Sequence, residues 1–370
     1  MSRPYDCDGD LAINRAPGEH PPMTFSDNAG TDDLPAPIFD ARGNRYAVCT
    51  PSAIPGIPVT ASQAAASVAQ WASQAIKQHC RGRRAATANT LVTDGLIVGP
   101  FNMAPPFDIL IVNTDGSLAE RSGNGLTIFA EALRGDGRVK PNTPFDVHVH
   151  HATPNQPNPL STTLTLAGDA SRDGVWVDMG QPAFGPDAVD ASQAIAATGT
   201  PRRDTNHVAE LAELHPLWTD SVLVRVGNPH CVTWLKAADR LPTLDALGRD
   251  PFADGLRAIA FAPGGKVRAS DAAIRIPPFR AGINLQWAAR LANDRVAARI
   301  FERGEGLTRS SGSSATAVAC AARQLGLVSE DVVAIEMPGG TAHVRFMALK
   351  DDAFTAAYLG VAERLAPDAC

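Results

Sequence analysis

Two serines stand where a chain of this composition could handle a carboxylate and a proton. The run Thr114-Asp-Gly-Ser-Leu-Ala-Glu-Arg-Ser-Gly-Asn-Gly125 places Ser122 before two glycines and leads into the apolar stretch 126–133. A second Ser-Gly pair follows 189 positions later, at Ser311-Gly312. The same offset pairs Leu118 with Leu307, Thr127 with Thr316 and Ala130 with Ala319. Each copy reads as a polar turn feeding a helix N-terminus. Such a terminus presents free backbone N–H groups and the positive end of the helix dipole to an anion. Two copies in one chain predict two similar halves facing one anionic ligand.

The elements that must carry these turns follow from periodicity. The segment 107–112 is β-rich and delivers Asn113 into the first motif, and 296–301 does the same for the second. A helix is expected over 58–79, capped by Thr60 or Ser62, with Val68, Trp71, Ala72, Ala75 and Ile76 on one face. Further strands are expected at 90–98, 144–151, 162–167, 175–179, 222–226, 232–235, 274–276, 283–287, 332–337, 342–349 and 354–359. Segment 187–211 reads as partly helical, and the second motif helix as 314–325 with Gly326 closing it. Residues 1–22 show no periodicity and read as a loose extension. Residues 152–160, with three prolines, read as the linker between an N-terminal domain (23–155, motif helix 123–134) and a C-terminal domain (156–370, motif helix 312–325). Strands outnumber helices, and each half has one long motif helix. The expected fold is α+β, two pseudo-symmetric domains, each a β-barrel-like sheet wrapped around a central helix.

Bulk properties narrow the function. The chain has 370 residues, 44% apolar and 19% charged, with a net charge of −6. That describes an ordinary globular protein and argues against a general binder of nucleic acid or anionic membranes. The basic run Arg81-Gly-Arg-Arg84 reads as a solvated loop. The six cysteines form no Cys-x-x-Cys pair, which points to reduced thiols in a cytoplasmic protein rather than to zinc or a disulfide framework. His148 and His150 share a strand face with His151 beside them, and without an accompanying carboxylate or cysteine signature they read as a solvated face.

Several motifs in one order resemble the diaminopimelate epimerase family. They are Thr93-Asp-Gly95, Asn113-Thr-Asp-Gly-Ser117 with Gly123-Asn-Gly125, Val177-Asp-Met-Gly-Gln-Pro182, Gly227-Asn-Pro-His-Cys231, Asn284, Glu302-Arg-Gly304 and Pro338-Gly-Gly340. The resemblance covers most of 24–365 and implies a cofactor-independent isomerase. Such an enzyme inverts the α-carbon of LL-diaminopimelate to the meso form, in the lysine and peptidoglycan precursor pathway, by two-base proton transfer across the α-carbon. It implies Asn113, Asn228, Asn284 and Arg303 at the distal amino-acid end, Glu302 beside the reacting amine and His230 beside the first base. The backbone N–H groups of Gly123, Asn124, Gly312 and Ser313 would hold the reacting carboxylate. Thr31 stands where the family usually has an asparagine. No metal is implied, the partner is a small amino-acid substrate, and a homodimer is a family-level expectation.

The chain departs from the family at the two bases, where cysteines are expected and Ser122 and Ser311 stand. A hydroxyl is a far weaker acid than a thiol, so epimerisation should be strongly impaired. Cys231 follows the histidine on its strand and Cys320 lies well inside the helix, so neither substitutes. Alternatives stay open: an isomerase or tautomerase of a more acidic substrate using Glu302 and His230, a ligand-binding pseudoenzyme, or a hydrolase, although no Gly-x-Ser-x-Gly elbow surrounds either serine.

Overall fold

The computed structural model describes residues 36–81, 90–152, 157–168, 173–191, 205–261, 278–303, 306–350 and 353–366. Thr31, the 1–22 extension and the strand expected at 274–276 lie outside them.

The first half runs β1 (Ile38–Ala41), β2 (Asn44–Cys49), α1 (Ala61–Ala66), α2 (Val68–His79), β3 (Gly95–Val98), β4 (Phe107–Asn113), α3 (Gly123–Gly135), β5 (Pro144–Val149), β6 (Leu160–Leu166) and β7 (Val175–Gly180). The second runs β8 (Ala183–Phe184), α4 (Ala209–Leu214), β9 (Ser221–Val226), β10 (Asn228–Leu235), α5 (Leu244–Leu247), α6 (Phe252–Ala260), β11 (Asn284–Ala292), β12 (Arg295–Glu302), β13 (Gly306–Thr308), α7 (Gly312–Gln324), β14 (Val332–Met337), β15 (Gly340–Ala348), β16 (Phe354–Gly360) and β17 (Glu363–Arg364).

The repeat seen at the serines extends to the strand pairing. In the first half β1–β2 is antiparallel, β2–β3 parallel, β3–β4 antiparallel, β4–β5 parallel, then β5–β6 and β6–β7 antiparallel. The second half repeats that sequence of senses as β9–β10, β10–β11, β11–β12, β12–β14, β14–β15 and β15–β16. Antiparallel pairing of β16 with β7 joins the halves into one sheet. A parallel pair needs a crossover, and in each half the motif helix supplies one. Helix α3 connects β4 to β5, and α7 lies between β12 and β14. Counted by pairing, β6 and β7 go with the first half, although they follow the 152–160 linker.

Both motif helices are core elements. Residues Gly125–Leu133 of α3 and Ser314–Ala322 of α7 are all buried. A helix buried all round must be apolar or small all round, and α7 meets this mostly with alanine. One core cluster takes in Leu126, Ile128 and Phe129 of α3, Val318 and Ala319 of α7 and the inner faces of strands from both halves. Each half has an outer cluster as well, one beneath α1 and α2 and one beneath α4 to α6.

The helix expected over 58–79 is two helices. Thr60 caps the first, accepting from Gln63 N–H at 3.4 Å. The Ser67 hydroxyl donates to the Gln63 carbonyl at 2.8 Å, competing with the helical ladder where the break falls. The histidine reading is corrected too. His150 is buried and its Nε2 lies 2.7 Å from Asp108 Oδ1, with His148 Nδ1 3.5 Å from the same oxygen. Asp108 is directly opposite His148 in the parallel β4–β5 pair. The carboxylate was hidden because it lies on another strand. Among the described residues no group of three or more His, Cys, Asp or Glu could hold a metal ion, and no helix is long and apolar enough to cross a membrane.

Candidate active site

The two motif serines have the same local structure. Ser122 is the N-cap of α3, with φ −132° and ψ 116°, and its Oγ accepts from Gly125 N–H at 3.0 Å. Ser311 is the N-cap of α7, with φ −155° and ψ 129°, and its Oγ accepts from Ser314 N–H at 3.3 Å. Serine is a preferred residue at this position because its oxygen reaches the third N–H of the helix. The N–H groups of Gly123 and Asn124, and of Gly312 and Ser313, therefore remain without partners inside their helices. Each helix also back-bonds its first carbonyl: Thr127 Oγ1 donates to Gly123 O at 2.9 Å and Thr316 Oγ1 to Gly312 O at 2.8 Å. Those are the threonines that the repeat pairs.

The two N-termini meet at Tyr358 of β16. A Cβ placed on Gly123 would collide with the Tyr358 hydroxyl, and one on Gly312 would fall 2.6 Å from its ring. Ser122 Oγ also lies 3.5 Å from the Tyr46 hydroxyl. Both capping hydroxyls thus belong to neighbourhoods that one buried aromatic ring brings together.

The loop before Ser122 is tied to the second half. Arg121 donates from Nη2 to the Asp178 carbonyl of β7, at 2.5 Å. Burial lowers the pKa of its guanidinium, and its Nε has no partner among the described residues. Its Nη1 would lie 3.7 Å from a Cβ placed on Gly227, the residue before Asn228. Gly227 has φ +70°, a left-handed conformation that makes glycine the natural occupant of this β9–β10 corner.

The second half assembles most of the remaining candidates. His230 on β10 and Asn284 on β11 are paired directly in a parallel register. Asn284 Oδ1 accepts from Arg303 N–H at 2.8 Å, which leaves its NH2 end to meet a ligand. Arg303 is exposed and donates from Nη1 to Ala281 O at 2.9 Å. Asn228 is exposed at the start of β10, and Glu302 ends β12 immediately before Arg303. Asn113 ends β4, and its amide donates to Ser117 Oγ at 2.9 Å, which folds back the tip of the first motif.

His230 is wholly buried. Burial, and secondarily Arg303 and Arg225, push its pKa down to about 3. Gln286 Nε2 lies 3.0 Å from His230 Nδ1 and donates at 3.1 Å to Ser314 Oγ in the first turn of α7. A neutral ring accepting at Nδ1 carries its proton on Nε2, which has no partner among the described residues. The bonded neighbours of His230 thus lead to the second motif helix, whereas the resemblance put it beside the first base. Neither nearby thiol offers a base: burial pushes Cys231 up to about 12 and Cys320 well above the ordinary thiol range.

Sequence reasoning passed over Arg121, Tyr46, Tyr358 and Gln286. Arg121 had a signal, its place directly before Ser122. Gln286 sits two residues after Asn284 on the same strand face. The tyrosines had none, since strand pairing alone brings them to the helix ends. Thr31 lies outside the described residues. Asn44, two residues before Tyr46 on the same face of β2, donates to Asp94 Oδ2 at 3.1 Å.

No protein-family model matches the chain. A diaminopimelate epimerase 2 from Nostoc sp. is 30% identical over 261 residues, 70% of this chain and 75% of that protein. A diaminopimelate epimerase from Synechococcus sp. is 27% identical over 269 residues, 68% of this chain and 75% of its own length. Among solved structures, a methylitaconate-delta-isomerase superposes with a TM-score of 0.52 at 16% identity, covering 91% of this chain and 95% of that one. That likeness is one of fold. The identity to the Nostoc protein over three quarters of its length, with the repeated fold and the paired helix termini, makes the chain a member of the diaminopimelate epimerase family.

Proposed function

We propose that this isomerase acts without a cofactor on the α-carbon of LL-diaminopimelate or a close analogue. With serine at both base positions, it turns the substrate over at a strongly reduced rate. The observation that carries this reading is the shared architecture of the two N-caps: Ser122 and Ser311 head equivalent helices whose first residues close on one side chain, Tyr358. A two-base inversion needs two groups on opposite faces of one carbon, and each N-terminus stabilises negative charge building on the adjacent carboxylate.

The chain's own residues divide the work. The free N–H groups of Gly123, Asn124, Gly312 and Ser313 bind the reacting carboxylate. Arg303, Asn228, Asn284 and Asn113 take the distal zwitterion, the guanidinium and the Asn284 NH2 group for its carboxylate and the amide oxygens of Asn113 and Asn228 for its ammonium. Glu302 meets the reacting amine. Neutral His230 donates from Nε2, and Ser122 and Ser311 face the α-carbon from either side. The hydroxyls lack the acidity to abstract an α-proton quickly, so binding survives where chemistry is slow. We take the second domain, by the same reading, to begin at the turn between β7 and β8.

Calorimetry with LL-diaminopimelate tests this. The chain should bind it, and Arg303→Gln should weaken binding by tenfold or more. An Arg303→Gln variant that binds as tightly as the unaltered chain, or no binding by either protein, sinks the substrate assignment. Rapid α-proton exchange by the unaltered chain would instead mean that its serines are competent bases.

A further inference from the structure

Tyr358 has no role in the chemistry described so far, yet both motif helices are built around it. It is 2% exposed and lies on β16, the strand that joins the halves through β7. Its hydroxyl lies where a Gly123 side chain would be, and its ring where a Gly312 side chain would be, with Cε2 and Cζ both 2.6 Å from the would-be Cβ. These are the first residues of α3 and α7, each directly after a capping serine. Two residues on, a Cβ at Gly360 would collide with Thr127 Oγ1, so β16 also lies hard against the first turn of α3. The hydroxyl lies beside the Thr127 side chain, whose own hydrogen bond goes to the Gly123 carbonyl. The side chain thus occupies the space between two helix ends.

We propose that Tyr358 is a positioning residue that sets the spacing between Ser122 and Ser311, its hydroxyl end abutting Gly123 and its ring abutting Gly312. Glycine is required at both positions because the ring fills the gap. In this role the phenol makes no bond to substrate. It fixes how far apart the two bases stand, and inversion is more sensitive to that distance than proton exchange on a single face. The functional part of the inference rests on the two-base reading above.

Two measurements test it. Thermal melts come first, because they need no substrate. Gly123→Ala should destabilise, and Tyr358→Phe, which removes the colliding oxygen, should restore the melting temperature. Gly312→Ala should destabilise and should not be rescued by Tyr358→Phe, which keeps the ring, but should cost less when added to Tyr358→Ala than when added to the unaltered chain. Tyr358→Phe alone should melt close to the unaltered chain, because the ring that spaces the helices is kept. Gly123→Ala tolerated with Tyr358 intact, or both glycine variants rescued equally by Tyr358→Phe, overturns the proposal.

The second measurement is the ratio of inversion to α-proton exchange in D2O, taken in a Ser122→Cys, Ser311→Cys background. Adding Tyr358→Leu should lower the ratio tenfold or more, while Tyr358→Phe should leave it within about twofold. General destabilisation would slow both rates together, so an unchanged ratio in Tyr358→Leu refutes the positioning role. A cysteine background that neither exchanges nor inverts would refute the proposed substrate and base pair, and the melting pattern would then decide the role of Tyr358 by itself.

Discussion

Replacing Ser122 alone by cysteine isolates one face of the site. A thiol has an ordinary pKa of about 8.5, whereas a hydroxyl resembles water and is a weaker acid by roughly 7 units. A gap of roughly 7 units corresponds to about 10 kcal/mol of difference in proton affinity. With about half of that expressed in the transition state, the barrier falls by about 5 kcal/mol, or between about three and four orders of magnitude in rate. The α3 N-terminus lowers the thiol further, because Ser122 occupies the N-cap itself. The same change weakens a cap, since sulfur is a poorer acceptor for Gly125 N–H than the oxygen now 3.0 Å away. Loss of a serine cap costs about 0.5–2 kcal/mol, so the variant should melt a few degrees lower. The assay is loss of the α-proton NMR signal in D2O. A single thiolate reaches the proton on one face only. Ser122→Cys should therefore exchange one of LL- and meso-diaminopimelate and not the other, and Ser311→Cys should show the opposite preference. Equal exchange of both isomers by one single variant would refute the assignment of the serines to opposite faces.

Other consequences follow from the same structure. Burial pushes the Glu131 carboxyl up to about 7 despite Arg134 at 2.7 Å. A folded-state pKa above the unfolded value gives stability that is complete below about pH 4.5 and is lost as pH rises through about 7, at most about 3 kcal/mol. Glu131→Gln should flatten that slope in chemical denaturation. His230, held down at about 3, stays neutral at working pH. The pH–rate profile of the doubly cysteine-substituted enzyme should then carry no limb near 6.5 that disappears in His230→Gln. Because that pKa lies below the unfolded value, His230 contributes stability above about pH 6.5 that is lost as pH falls toward 3. Asp108→Ala strands the buried His150 and should cost about 1–3 kcal/mol in urea unfolding, against near-neutrality for a freely solvated strand face. Arg121→Leu frees the first motif loop from Asp178 and should raise KM more than it lowers kcat.

The parts of this fold visible in the chain were those with local causes. The motif helices announced themselves through Ser-Gly followed by helix formers, and the pairing of Thr127 with Thr316 proved to be a shared back-bond to the first carbonyl. The internal repeat was legible because the same physics is needed twice. The strand senses that establish it throughout the sheet were not, since parallel and antiparallel neighbours share one alternating pattern. The same limit concealed Asp108 beneath the histidines and Tyr358 between the helices, because each reaches its partners only through strands distant in sequence. The break at Ser67 was missed for another reason: a single serine can cap, solvate or back-bond, and context decides which. Asn228, Asn284 and Arg303 could be picked out by resemblance, but the Gln286 link from His230 to Ser314 required coordinates.

The central claim is that Ser122 and Ser311 occupy the positions of two opposed bases acting on one α-carbon. Its most direct test is chiral chromatography of LL-diaminopimelate incubated with the Ser122→Cys, Ser311→Cys protein in buffer without added cofactor. Conversion to the meso form, far faster than with the unaltered chain and falling back toward that chain's rate when either cysteine is returned to serine, is the predicted result. No meso product from the double variant, with the protein folded and the substrate bound, would contradict the account.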